Sequence, residues 1–376
     1  MSEIKVNSIK GVGASAAAIT VNNTDGTCTA NITNNLSNRN KIINGEFLIN
    51  QRGNSSNSSN SGYFGPDRFK WRDINSSTVF TINQSTDTPD GFAFSYHADC
   101  TTADASFGGN EFISIQHKLE GQNLQDFAKG TSSAKQYTLS FHVKSDVTGT
   151  YVVAFQDTDN NRMCCATYTV SSADTWEKKT ITIPADTTGA FNNDANESLM
   201  ISWCLGSGTD YTSGTLQTVW GADVSANTFA GQTANVGSST DNDFRLTGVQ
   251  LEVGSVATDF EHRSFAQELQ LCKRYFQKVG GSHWGATEGS NQFRIQVNLE
   301  PEMRAAPTVT VRSGGKFNTR YSGDTTITDP TLASTASQSR NVWTGITSSG
   351  LTGGVPIYGR SQQGDTGDFM ACNAEL

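Results

Sequence analysis

Strict alternation of apolar and polar residues recurs along this chain, and no other feature leaves so few folds open. In Tyr137-Thr138-Leu139-Ser140-Phe141-His142-Val143-Lys144 every second side chain is bulky and apolar. A β-strand turns successive side chains to opposite faces, so this run describes a strand with one face on a core and one in water. The pattern returns in Phe92/Phe94/Tyr96, Ile181/Ile183, Leu199/Ile201/Trp203/Leu205 and Phe293/Ile295/Val297/Leu299, separated by stretches rich in Gly, Ser, Asn, Thr and Asp. An all-β protein of antiparallel strands packed as β-sandwiches is the expectation.

At 376 residues the chain exceeds what one core usually serves, so more than one domain is expected. Residues 1–40 carry isolated branched residues too thinly spread to bury a core of their own, with a small-residue stretch from Gly11 to Ala18. They read as an extended N-terminal arm that packs against other chains or stays disordered alone. A sandwich is expected over 41–262, with two exposed polar loops at 54–62 and 225–242. Near its end the apolar register slips by one residue across Gly248, from Phe244/Leu246 to Val249/Leu251/Val253, which a β-bulge would restore.

Ser264-Phe265-Ala266-Gln267 has the form of a capping box, and Phe265, Leu269, Cys272 and Phe276 fall on one helical face. A linking helix over 263–278 follows. Its stripe would either cover the end of the sandwich or form a three-chain seam, with Glu268, Lys273 and Arg274 on a solvated side. Pro301 and Pro307 separate Phe293–Leu299 from Thr308–Val311 and mark a bend out of the sheet, within a smaller β domain at 279–376.

Charge and composition exclude several functions. With 17% charged residues and a formal net charge of -9, attraction to nucleic acid is disfavoured. No window has the roughly 18 apolar residues of a membrane helix, and no signal peptide or anchor is read. Seven irregularly spaced cysteines (Cys28, Cys100, Cys164, Cys165, Cys204, Cys272, Cys372) fit neither a disulfide framework nor zinc, and read as reduced, packed thiols. The five histidines share no ligand spacing and no hydrolase motif is present, so no nucleophile, cofactor or metal is expected. Asp157/Asp159 and Asp241/Asp243 could approach a sugar or a Ca²⁺ but read first as solvated turn residues.

Three segments carry a resemblance. Asn44-Gly45-Glu46-Phe47, Asn50-Gln51-Arg52-Gly53 and Asp67-Arg68-Phe69-Lys70-Trp71 resemble the start of the carbohydrate-binding-module-like jelly-roll domain of bacteriophage tail-fibre and virion structural proteins. The runs 135–144, 175–180 and 244–254 resemble its central and final strands. The stretch 257–269 with Cys272-Lys273-Arg274-Tyr275-Phe276 is similar to a junction of phage tail proteins, and 302–308 to their C-terminal piece. Ile4-Lys5-Val6-Asn7-Ser8-Ile9-Lys10-Gly11 resembles the opening of marine podovirus fibre proteins. The resemblance implies a virion component, assembled in the host cytoplasm as a homotrimer, held to other tail proteins by its N-terminal arm and displaying β domains for host attachment.

Sugar recognition suits such a chain, because aromatic faces stack on pyranose rings while Asn, Asp and Gln bond hydroxyls. Tyr63, Phe64 and Trp71 flank the Ser/Asn loop, and Tyr211, Trp220 and Trp284 sit in or beside Gly-rich segments. These six are the candidate glycan contacts. For Trp71, after Phe69, and for Trp203, on a face with Leu199, Ile201 and Leu205, core packing is the competing reading. A purely architectural nozzle, adaptor or decoration protein and a polysaccharide depolymerase are the alternatives to a non-enzymatic receptor-binding fibre.

Overall fold

The computed structural model describes residues 38–280, 282–288, 292–311, 368 and 370–376, and elsewhere only the strands named below. Three short strands, β1 (Ser8–Ile9), β2 (Ile19–Val21) and β3 (Cys28–Ala30), pair antiparallel. The stretch from Gly11 to Ala18 lies outside the described residues. The strands that follow are β4 (Ser55–Ser58), β5 (Phe69–Ile74), β6 (Val79–Ser85), β7 (Ser95–Thr102), β8 (Phe112–Glu120), β9 (Tyr137–Ser145), β10 (Gly149–Asp157), β11 (Arg162–Val170), β12 (Glu177–Ile183), β13 (Glu197–Ser207), β14 (Gly221–Ala222) and β15 (Asp243–Val253). They form two antiparallel sheets, ordered β14-β11-β10-β13-β8-β5 and β12-β9-β15-β7-β6-β4, facing each other as a jelly-roll β-sandwich.

Alternation decides what lies between the sheets. Phe69 and Trp71 of β5, Ile113 and Ile115 of β8, and Leu199, Ile201 and Trp203 of β13 meet Phe80, Tyr96, Leu139, Phe141, Leu246 and Leu251 from the other sheet in one continuous core. The Trp203 ring stands edge-on to Phe141 at 6.0 Å, and Trp71 packs on Phe80 at 4.6 Å. In β15 the ladder to β9 steps from Thr247–His142 to Gln250–Ser140, one residue more on β15, so Leu246, Val249 and Leu251 all reach the core. Gly248 takes φ +61° there, the left-handed conformation such an insertion favours.

Several expected boundaries move. Phe92 and Phe94 precede β7, which starts at Ser95; Phe92 packs outside the sandwich on His142 and Phe260, each at 5.2 Å. The Ser/Asn stretch at 54–62 is not all loop, since β4 adds an edge strand to β6; the ladder uses backbone N–H and C=O groups, which Ser and Asn supply like any other residue. The 225–242 stretch is not simply exposed: Phe229, Ala234 and Val236 are buried, pulled down by their apolar side chains. Asp157 is buried and pairs with Lys129, which also holds Asp186 at 3.0 Å, so it is no solvated turn residue. Cys164 and Cys165 do face opposite sides of their sheet, and the six described cysteines are free and buried.

After a helical turn, α1 (Thr209–Thr212), within the sandwich, the linking helix α2 (Phe265–Lys273) starts at Ser264 with both capping-box bonds present. It ends earlier than its apolar spacing suggests, and Phe276 belongs to the next strand. Phe265 is 57% exposed, while Cys272 and Tyr275 pack on Ile43 and Ile49 at the entrance of the sandwich. Glu268 is buried, not solvated, because it accepts from the backbone N–H of Asn44 and faces Arg263 at 3.4 Å. Arg274 is likewise engaged, making two hydrogen bonds to the buried Glu120 at 3.0 and 2.8 Å.

The C-terminal strands are β16 (Phe276–Val279), β17 (Ser282–Glu288), β18 (Gln292–Asn298), β19 (Thr308–Val311), β20 (Lys316–Arg320), β21 (Asp324–Thr328), β22 (Leu332–Ser337), β23 (Asn341–Thr347), β24 (Pro356–Ser361) and β25 (Met370–Asn373). Their two sheets run β16-β25-β19 and β21-β20-β24-β17-β18-β23-β22, so the proline-bearing turn carries the chain from one sheet to the other. Ile295, Val297 and Leu299 meet Val309, Met370 and Cys372 in a separate small core.

Candidate functional site: a cleft on the outer face of one sheet

The residues that alternate with the core of the β14-to-β5 sheet form its outer face. Strand register brings them into rows: Lys70 beside Gln116 beside Ser202 beside Ala154, and Lys118 beside Met200 beside Gln156. Toward β10 and β11 this face is apolar, with Val152, Ala154, Met163 and Cys165 buried beneath Phe229 and joined by Phe112 from the start of β8. The segment from α1 through β14 to Phe229 therefore lies over that half as a partial third layer. Gly208 lets the segment leave β13 at close quarters, since a Cβ there would meet the Gly108 carbonyl oxygen at 1.8 Å.

The uncovered half, toward β5 and β8, is an open cleft of about 710 Å³. Its floor carries Lys70, Arg72, Gln116, Lys118, Gln156 and Met200, and its wall carries Tyr211, Asn161, Asp223 and Thr228. Tyr211 stands edge-on to Phe112 with ring centroids 4.8 Å apart, and its carbonyl accepts from the N–H of Phe229 at 2.9 Å. The polar groups hold one another in place: Gln116 Nε2 donates to Ser202 Oγ at 3.1 Å, Gln156 Nε2 to Asp223 Oδ2 at 2.9 Å, and Lys118 Nζ lies 2.6 Å from Glu197 Oε2. Burial first, and then the neighbouring cations Lys118 and Arg72, lower the proton affinity of Lys70. A floor of amides and long cations beside a wall carrying the Tyr211 ring and the Thr228 hydroxyl suits a polar, hydroxyl-rich ligand lying across the strands.

Of the six aromatic candidates, Tyr211 reaches this cleft. Trp71 is wholly buried on the opposite face of β5 from Lys70 and Arg72, so it is a core residue and not a contact. Trp220 is 9% exposed; its Nε1 donates to the Pro184 carbonyl at 3.0 Å and the Lys129 ammonium sits 4.9 Å from its ring, which withdraws it from the surface. Phe64 packs against the main core. Tyr63 is half-buried, donating its hydroxyl to the Leu376 carbonyl at 2.9 Å beneath Arg52. Trp284 is 71% exposed on β17, in a different sheet from the cleft. The cleft's polar residues escaped the aromatic criterion. Their signal is the polar half of the alternation, where Lys70, Arg72, Gln116 and Lys118 carry long side chains in place of Ser or Thr.

Among the described residues no His, Cys, Asp and Glu side chains gather to hold a metal ion, and no helix is long and apolar enough to cross a membrane. The two sheets and the cleft define the class: a jelly-roll β-sandwich with an open ligand-sized cleft on the outer face of one sheet. No protein-family model and no curated protein matches the chain. Among solved structures, the enzymatically active domain of tailspike protein 4 of bacteriophage CBA120 is similar at 9% identity and a TM-score of 0.32, over 59% of this chain and 24% of that one. A candidate sugar-binding protein of Bacteroides thetaiotaomicron is similar at 13% identity and a TM-score of 0.30, over 57% of this chain and 100% of that one. The family 11 carbohydrate-binding module of a Clostridium thermocellum cellulase is similar at 9% identity and a TM-score of 0.27, over 56% and 98%. The fold assignment rests on the strand pairing above and not on these overlays.

Proposed function

We propose that this chain is a non-enzymatic bacteriophage virion protein, a tail fibre or spike subunit, that recognises host-surface glycan in the cleft beside Tyr211. The observation that carries the recognition is the cleft itself, which presents pre-positioned amide, hydroxyl and charged groups and one braced aromatic ring. Groups held by a sheet lose little freedom on binding, which favours affinity. The virion assignment rests on the sequence resemblance over residues 41 to about 311. In this reading residues 1–40 hold other tail proteins and the assembly is a homotrimer.

Calorimetric titration of the purified chain with host polysaccharide tests the reading. Binding is expected, and Tyr211→Ala is expected to weaken it by about tenfold, the scale of one interface anchor. Absence of any glycan binding would leave the architectural role. A monomer by light scattering would overturn the trimer. One observation favours a second reading: Glu197 and Asp223 line the same cleft, as paired carboxylates do in glycosidases. Release of reducing ends from the polysaccharide, abolished by Glu197→Gln, would make the chain a depolymerase.

A further inference from the structure

We propose that the ligand of this cleft is an acidic glycan, and that Lys70 and Arg72 on β5 bind its uronate carboxylates; this rests on the cleft being a glycan site. The chain as a whole is acidic, with a formal net charge of -9, yet one end of the cleft collects Lys70, Arg72 and Lys118. Lys118 is answered by Glu197 at 2.6 Å. Among the described residues neither Lys70 nor Arg72 forms an ion pair. Arg72 donates to the Ser61 hydroxyl at 3.3 Å, and Lys70 lies 5.8 Å from the centre of the Tyr63 ring.

The acids nearest in sequence and space are committed elsewhere. Asp73 points to the other face of β5, where it accepts from the Ser76 hydroxyl at 2.8 Å. Glu375 is held by Arg68 and by Arg52. Asp223, across the cleft, accepts from Gln156. Two half-buried cations without a carboxylate, two residues apart on one strand and so roughly 6.6 Å apart on one face, form a site that an anion completes. Burial, and then Lys118 and Arg72, disfavour the charge on Lys70 more than Glu197 and Glu375 favour it, and a bound carboxylate offsets that cost by a direct ion pair. A neutral sugar would leave both without an ion-pair partner, since Glu197 and Glu375 act on Lys70 only from a distance.

Isothermal titration of the full chain with oligogalacturonate and oligoglucuronate hexamers, against cellohexaose and xylohexaose, tests this. Tighter binding of at least one uronate hexamer, by tenfold or more over the neutral pair and weakening with salt, is expected. In the Lys70→Gln/Arg72→Gln double variant that hexamer is expected to bind about ten- to a hundredfold more weakly, with Arg72→Lys retaining part of the affinity. An unchanged thermal melt of the double variant separates lost contact from lost fold. Neutral hexamers binding as well as the uronates, with no effect of the double variant, would overturn the acidic preference and leave the glycan reading standing. No binding of either class would overturn both. Oligothymidylate bound as tightly as a uronate hexamer would show a site reading charge alone, and would also overturn the proposal.

Discussion

Lys70 and Trp71 are adjacent in sequence and opposite in role, because one residue along a strand turns a side chain from the cleft to the core. Truncating the buried member should therefore unfold and not merely weaken binding. Trp71→Ala is expected to cost about 3–5 kcal/mol in urea unfolding, as large-to-small core changes do. Titration adds a second expectation at this scale. Burial, and then Asp174 and Asp243, push the Asp146 carboxyl up to about 6, and burial pushes Asp67 up to about 6 against Arg52 and Gln51. Both bind a proton more tightly folded than unfolded, so their contribution is most favourable below about pH 4 and is lost as pH rises through about 6. Asp146→Asn should raise the melting temperature at pH 7, by about 1–3 °C, and leave it unchanged at pH 4. An equal gain at both would show that its charge is not the cause.

At the scale of elements, α2 was legible by its start and not by its length. Ser264 and Gln267 form a local device, needing nothing beyond four residues, and it is present. Where the helix stops depends on β25, which pairs with Phe276 and draws the chain into a strand. The polarity of Glu268 pointed the wrong way for a similar reason: the partner that allows its burial, the N–H of Asn44, is 224 residues distant. Ser264→Ala should cost about 1 kcal/mol locally, read as faster amide exchange across Glu268–Cys272. The bulge at Gly248 was legible because a slip in apolar register has few other solutions. The covering segment 209–233 was not, since its turns and short strand hold shape by docking on Val152, Ala154 and Cys165 from strands earlier in the chain.

Across the whole molecule, the small C-terminal sheet β16-β25-β19 is tied to the sandwich by charge placed where water is excluded. Arg68 is buried, pairs with Glu375 and lies 3.4 Å from the Tyr275 ring centre; Arg52 pairs with Glu375 at 3.1 Å and lies 3.7 Å from the Phe276 ring centre. The Glu375 carboxylate raises the proton affinity of Arg68 against the effect of burial. Arg304 adds hydrogen bonds to the carbonyls of Ala195 and Ala374 at 3.1 and 2.6 Å. Removing one partner of such a buried pair strands the other, so Arg68→Ala should destabilise this junction by about 3–5 kcal/mol. The expected readout is an earlier melting step and faster proteolysis within Phe276–Val279, with the sandwich still folded. A single unchanged transition would show the junction to be dispensable.

Period-two alternation by itself determined that this chain is all-β, which faces of β9 and β13 turn inward, and that Trp203 is core, because strand geometry obeys a local rule. The cleft was decided by tertiary structure alone. Lys70, Gln116, Lys118 and Gln156 come from three separate strands and Tyr211 from a docked segment, and only strand order and register set them side by side. Pairing between distant strands is a property of the assembled sheet, and no window of sequence contains it.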